Sequence, residues 1–289
     1  MMKVMGKRLV TALVCTVLLV CLLPVNAWAD TGPKPSVHIA IENMDGRECY
    51  GTLLSKTAST GPASAWDGEE EARPNFEISR EIWRAFVDYE DPDGFYFLQW
   101  GWRCDEAKGF SWDYYPPETF KILLYYPDTG EFVSSGVLER YAFDTYYTAK
   151  LDGGTMTVRR SYNFGREIVG LLARIVLTVA IEVLVALLFG FREKKLLRLI
   201  LLVNVITQAA LNAALFYTDL TEGPGVFLLL YVLLELAVFI VEAVVYCLTF
   251  RRVTERWIFT GKIIAYALAA NLCSLAVGFG ISWIIPAIF

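Results

Sequence analysis

The sequence predicts an α+β domain, a small mainly antiparallel sheet with one helix, followed by an all-α bundle of four transmembrane helices. Three observations carry that expectation. The 289 residues are 55% hydrophobic and 20% charged, with a mean hydropathy of +0.43. That is too apolar for one water-soluble domain and too charged for a chain embedded in lipid throughout. Charge is also segregated: residues 30–167 hold 14 Lys and Arg against 24 Asp and Glu, a balance of −10. Finally, four apolar runs follow at 168–191, 196–217, 225–249 and 263–288, each long enough to cross a bilayer as a helix. The composition excludes disorder, collagen-like repeats and a compact cytosolic enzyme.

Residues 1–29 read as a secretory signal. Lys3, Lys7 and Arg8 precede the uncharged run Leu9 to Leu23, Pro24 breaks it, and Ala27-Trp28-Ala29 supplies the small-x-small site before Asp30. The alternative is an uncleaved anchor, but the run is short of the roughly 20 residues that span hydrocarbon. Either reading puts the next segment outside the cell.

Residues 30–163 form the extracytoplasmic domain. Val37, Ile39 and Ile41 alternate, as do Tyr96, Leu98, Trp100 and Trp102, and again Phe120, Ile122 and Leu124. Pro127-Asp128-Thr129-Gly130 and Asp152-Gly153-Gly154 look like hairpin turns. Ile78, Ile82, Phe86 and Tyr89 share one face of a helix expected at 77–89. The Ser-, Gly-, Pro- and Glu-rich stretch 57–75 reads as a surface loop. Six cysteines divide by compartment, which leaves Cys49 and Cys104 in the exported part. An oxidising compartment predicts one disulfide between them, the alternative being two buried thiols.

Catalytic chemistry finds little support here. His38 is the only histidine, so Ser-His-Asp catalysis is excluded unless His38 serves, and multi-histidine metal sites are excluded outright. Its place among strand residues suggests a structural role. Asp88 to Gly94 resembles a calcium loop, but alignment on the glycine puts Tyr89 and Trp100 where an EF-hand needs acids; a helix-ending acidic turn fits better. Trp100, Trp102, Phe110, Trp112, Tyr114 and Tyr115 crowd together as core, as a ligand groove or as a membrane belt, core being favoured. The acidic balance argues against nucleic acid as a partner.

Residues 164–289 form the transmembrane domain. Arg192, Lys194, Lys195 and Arg198 cluster between the first two runs, and Arg251, Arg252, Arg256 and Lys262 between the last two. The positive-inside rule makes both clusters cytoplasmic in a bacterial plasma membrane and places the C-terminus outside. Ionisable groups within spans are costly and usually paired or functional. At 1.5 Å per residue, Glu182, Asn204, Glu242 and Asn271 lie roughly 12–15 Å from the basic clusters, one from each helix. Arg174, Asn212 and Glu235 form a second tier at roughly 22–27 Å. The functional reading is a polar cluster whose acids bind a cation or proton. The structural reading is glue, with Arg174 pairing Glu235 and asparagines bridging neighbours. Ala209, Ala210, Ala213 and Ala214 have the small-residue spacing that lets helices approach.

The blocks YEDPDGFYFLQ from Tyr89, YYPPETFKILLYYP from Tyr114, RYAFDTYY from Arg140, FGFREKK from Phe189 and NVITQAALN from Asn204 resemble a recurring group of uncharacterised bacterial membrane proteins. The resemblance touches both halves and implies that they belong together as one unit. It implies no activity, cofactor or catalytic residue.

No catalytic set, metal-ligand set or cofactor motif stands out, so the expected function is non-enzymatic. The leading expectation is a multi-pass membrane protein whose exterior domain binds a ligand or partner, acting as a sensor or accessory subunit. Its partners would be the lipid bilayer and another membrane protein, or a second copy of the chain. The alternative is a small proton- or cation-coupled transporter using the intramembrane carboxylates.

Overall fold

The computed structural model describes residues 32–69, 78–105, 109–254 and 257–284. The signal-like segment 1–29 lies outside the described residues. A compact unit runs from Lys34 to the C-terminus and contains everything below.

Among the described residues, two large sheets, a two-stranded hairpin and one helix build the N-terminal domain. In chain order these are β1 (Ser36–Glu42), β2 (Tyr50–Ser55), β3 (Ser59–Thr60), β4 (Ala63–Ser64), α1 (Arg80–Val87), β5 (Tyr96–Phe97), β6 (Trp102–Arg103), β7 (Phe110–Trp112), β8 (Thr119–Tyr126), β9 (Glu131–Ser134), β10 (Leu138–Glu139), β11 (Asp144–Asp152) and β12 (Thr155–Arg160). The first sheet has the order β12-β11-β1-β7. All its pairings are antiparallel except β1 with β11, which run parallel from Ser36 opposite Asp144 to Glu42 opposite Lys150. The second sheet is antiparallel with the order β10-β8-β2-β5, β6 also on β2 and β9 also on β8.

One apolar layer lies between the sheets, where Val37, Ile39, Trp112 and Tyr147 meet Leu53, Phe120, Ile122 and Leu124. The other face of the second sheet, through Leu54, Phe97 and Leu123, packs on Ile82, Trp83 and Phe86 of α1. Burying a large apolar side chain contributes about 1.5–3 kcal/mol, so these layers supply most of the domain's drive to fold. Alternation along the sequence anticipates one small sheet. The strands form two because β8 is apolar on both faces and stands in the middle of the stack.

Local chemistry sets the elements. Ser79 caps α1 by accepting the amide of Ile82, and Ile78, Ile82 and Phe86 are buried along one helix face. Gly130 and the pair Gly153-Gly154 close the β8–β9 and β11–β12 hairpins with positive φ. Gly109 opens β7: its φ is 69°, and a Cβ there would lie 1.9 Å from the Ile39 carbonyl oxygen.

Three expectations need correction. The alternation over 96–102 is not one strand, because Gln99 adopts φ 64° and splits it into β5 and β6, with Phe97 buried and Tyr96 exposed. Within the expected loop 57–75, β3 and β4 form a small hairpin; residues 70–77 are outside the described set. Cys49 and Cys104 are buried free thiols and not a disulfide. They are nonetheless cross-strand neighbours, since the Cys104 amide donates to the Cys49 carbonyl at 2.8 Å beside the Tyr50–Arg103 pair. The hydrogen bond with Cys49, then burial, pushes the Cys104 thiol well up.

Four of the six crowded aromatics, Trp100, Trp102, Phe110 and Trp112, belong to the core, whereas Tyr114 is half-buried and Tyr115 exposed. Trp100 stacks on Trp112 at 5.4 Å, Trp102 lies 5.2 Å from Trp112 and 5.9 Å from Phe110, and Trp112 is fully buried. The acidic turn after α1 holds a buried lysine. Lys121 donates to Asp91 at 2.9 and 3.0 Å and to Asp93, with the Asp91 carboxylate fully enclosed.

Four long helices follow: α2 (Phe164–Leu188), α3 (Lys194–Glu222), α4 (Pro224–Thr254) and α5 (Thr260–Ile284). Each is long and apolar enough to cross a membrane, the arrangement of a multi-pass membrane protein. They form a ring in which α2 and α4 each pack on both α3 and α5. Ala209, Ala210 and Ala213 are exposed rather than at a helix contact, so the small-residue spacing on α3 does not serve packing within the chain. At the basic-loop end, Phe191, Tyr246, Phe250 and Tyr266 make a buried aromatic layer with ring separations of 4.9–6.3 Å. At the other end the β-domain joins the bundle directly. The Phe143 amide donates to the Leu220 carbonyl at 2.8 Å, and its ring lies where a Cβ on Gly223 would come within 2.5 Å.

Candidate functional site: a buried carboxylate pair in the bundle

Apolar side chains gain nothing by leaving lipid for a bundle interior, so polar groups on a long apolar helix turn inward to find partners. On α3 the buried residues recur every three or four positions, through Leu196, Ile200, Asn204, Gln208, Asn212 and Leu215. Glu182 on α2, Glu242 on α4 and Asn271 on α5 complete a tier. Glu182, Asn204 and Glu242 are 0% exposed and Asn271 7%.

Glu242 is held from both sides. Thr207 donates to its Oε1 at 2.7 Å and Asn271 Nδ2 to its Oε2 at 2.9 Å. Asn204 Nδ2 donates to the Tyr246 hydroxyl at 2.9 Å and to the Ile200 carbonyl at 3.0 Å. Glu182 is different. It faces Glu242, Asn204 and, farther off, Glu235; the Asn204 amide is its nearest donor but already donates to Ile200 and Tyr246, and among the described residues neither Glu182 oxygen has a hydrogen bond of ordinary length and angle. Asn204 Oδ1 and Asn271 Oδ1 are likewise buried without a donor. The site therefore presents an excess of oxygen acceptors, two of them on a carboxylate, within the apolar part of the bundle.

Comparison with protein-family models, with curated proteins and with solved structures gives no match. Function is therefore argued from the site.

The second tier divides. Asn212 is buried and donates to the Gln208 carbonyl of its own helix at 2.8 Å, an intrahelical bond rather than a bridge between helices. Glu235 is half-buried and hydrogen-bonds with Tyr231 one turn away. Arg174 does not pair with Glu235: among the described residues no ion pair joins them. The guanidinium instead lines a cavity together with Glu167 and Asp219, and its buried Nε has no hydrogen-bond partner among the described residues. The glue reading thus holds for Asn204 and Asn271, which bridge to α4, but not for Asn212 or Arg174.

Sequence reasoning missed three contributors. Thr207, Tyr246 and Tyr266 all face the carboxylates, and the spacing Asn204, Thr207 and Tyr246 four residues beyond Glu242 was the available signal. Among the described residues no group of three His, Cys, Asp or Glu side chains could hold a metal.

In the β-domain, His38 stands with Ser36 and Asp113. Ser36 Oγ is 2.8 Å from His38 Nε2, and Nδ1 is 4.0 Å from Asp113 Oδ1. That order of groups resembles an activated serine, but the Ser36 hydroxyl donates its one hydrogen to Asp144 at 2.5 Å. The imidazole must then donate to Ser36, the reverse of base activation. His38 also stacks on Tyr146 at 4.8 Å, which fixes it as a strand-surface residue.

Proposed function

We propose that this chain is an ion-coupled membrane protein in which Glu182 and Glu242 bind a cation at the middle of the four-helix bundle. The observation that carries the reading is the orphaned Glu182 carboxylate beside Glu242. Two adjacent buried carboxylates with no cationic side chain between them are too costly to leave bare. A bound proton or metal ion neutralises the pair, and the donorless oxygens of Asn204 and Asn271 suit a cation's coordination. The β-domain lies outside the cell and both basic loops face the cytoplasm, by the positive-inside rule.

The test is flux. The full chain in liposomes, given a proton or Na⁺ gradient, should move the ion, and Glu182→Gln and Glu242→Gln should each abolish the movement. Wild-type flux in both folded variants would sink this reading.

A second reading is favoured by the Phe143–Leu220 hydrogen bond between β-domain and bundle. In it the domain senses a ligand or partner and passes the state to the helices and to another membrane protein. Purification in mild detergent with identification of stoichiometric co-eluting proteins separates the two, since a chain that elutes alone or as a homo-oligomer argues against an accessory role.

A further inference from the structure

Polar residues run from the carboxylate pair to the end of the bundle that meets the β-domain. On α4 they are Glu242, Glu235 and Tyr231; on α2, Glu182, Arg174 and Glu167; on α3, Asn204, Gln208, Asn212 and Asp219. The spacings of three, four, seven or eight residues keep each set on one side of its helix. Tyr231 hydrogen-bonds with Glu235 and lies within electrostatic reach of Arg174.

These lines end in a cavity of about 470 Å³ between the β-domain and the bundle. Asp144 lines it from the domain, Glu167 and Asp219 from the helices, against Arg166 and Arg174. Three carboxylates thus face two guanidinium groups, and the Tyr162 hydroxyl in its wall is pushed up to about 12 by burial, then by Glu167 and Asp219. Such a concave acidic surface concentrates cations. Arg174, however, is itself part of the cavity wall. A metal ion travelling inward would have to pass that fixed positive charge. A proton passes by hops along hydroxyl and carboxyl groups, and no ion moves as a body. At the opposite end the Phe191, Tyr246, Phe250 and Tyr266 layer is packed shut.

We infer that the ion bound by Glu182 and Glu242 is a proton, delivered from the cavity between the β-domain and the bundle by way of Tyr231 and Glu235. The inference rests on the carboxylate pair being an ion site. Each hop breaks one O–H bond and forms another, the electron pairs remaining on oxygen. The groups that face the pair are Asn204 and Thr207 from α3, Glu235 and Tyr246 from α4, and Asn271 and Tyr266 from α5.

Two measurements on the full chain in phosphatidylcholine vesicles test it. Dicyclohexylcarbodiimide attacks buried carboxyl groups that carry a proton, and peptide mass spectrometry locates the adduct. Glu182 or Glu242 should be labelled, and Na⁺, Li⁺ or K⁺ should leave the extent unchanged. Protection by a metal ion overturns the proton assignment while leaving the ion site standing; labelling of neither carboxyl overturns the site itself. For the route, Glu235→Cys in a chain with Cys247 and Cys273 replaced by Ala should react with a membrane-impermeant thiol reagent applied on the β-domain side. Reaction only from the basic-loop side, or from neither side in a folded variant, overturns the route. Tyr231→Cys repeats the measurement nearer the cavity if Glu235→Cys does not fold.

Discussion

Lys121 in the β-domain and Glu182 in the bundle are both buried ionisable side chains, and their surroundings are opposite. Lys121 reaches two carboxylates, with Asp91 itself accepting the amides of Asp93 and Phe95. Glu182 has a second carboxylate for a neighbour and no hydrogen bond of ordinary length and angle among the described residues. A saturated buried charge holds a fold together, because removing one partner strands the others. An unsaturated one contributes nothing to the fold in that state and is free to take up something from outside. The same residue chemistry thus serves architecture in one half of the molecule and, in the function proposed above, binding in the other.

Four substitutions or titrations break or sharpen this contrast. Lys121→Met strands the enclosed Asp91 carboxylate and should cost about 3 kcal/mol, the low end for a broken buried pair because Asp93 is open to water. Thermal unfolding of the full chain in detergent, followed by tryptophan emission, should show the loss, and Lys121→Met with Asp91→Leu should recover most of it. A harmless single variant would erase the distinction. Glu242→Met removes the acceptor for Thr207 and Asn271 and should cost about 2 kcal/mol. Glu182→Met should cost nothing and gain about 1 kcal/mol, since no donor is stranded and a desolvated carboxyl is lost. If Glu182→Met instead unfolds the bundle as Glu242→Met does, Glu182 is glue and the comparison fails. Ser79→Ala, at the α1 cap, sets the scale for an ordinary polar contact in the domain at about 1 kcal/mol.

Acid gives a further contrast. Burial opposes the Asp91 charge, but the Lys121 hydrogen bond and the amides of Phe95 and Asp93 outweigh it, holding Asp91 below its ordinary 3.8. A carboxylate with a lowered folded value contributes stability that is fully present above the unfolded value and is lost as pH falls through the folded one. The β-domain should therefore weaken below about pH 4 in wild type, and Lys121→Met should flatten that part of the curve.

Much of this was legible along the chain. The helical runs and the alternation of Val37, Ile39 and Ile41 are local signals, each written within a few residues. The inward polar tier was legible because helical rise and the bilayer fix depth from sequence position alone. Arg174 shows where that reasoning stops. Its depth put it level with Glu235, but depth does not say which neighbours a long side chain meets, and Arg174 lines a cavity with Glu167 and Asp219 instead. The stretch 96–102 shows a second limit: alternation cannot reveal that Gln99 turns to φ 64° and ends the strand.

The sequence by itself determined that four helices long and apolar enough to cross a bilayer follow an α+β domain, since hydropathy, period and charge segregation need no knowledge of long-range contacts. Only the tertiary structure decided that β1 pairs in parallel with β11 more than 100 residues away, that a cavity opens where domain and bundle meet, and that Glu182 stands beside Glu242 without a hydrogen bond of ordinary length and angle. Those features depend on which side chains from distant segments arrive at one point and which orientation each adopts there. Packing settles both at once, and neither is encoded in any local stretch of the chain.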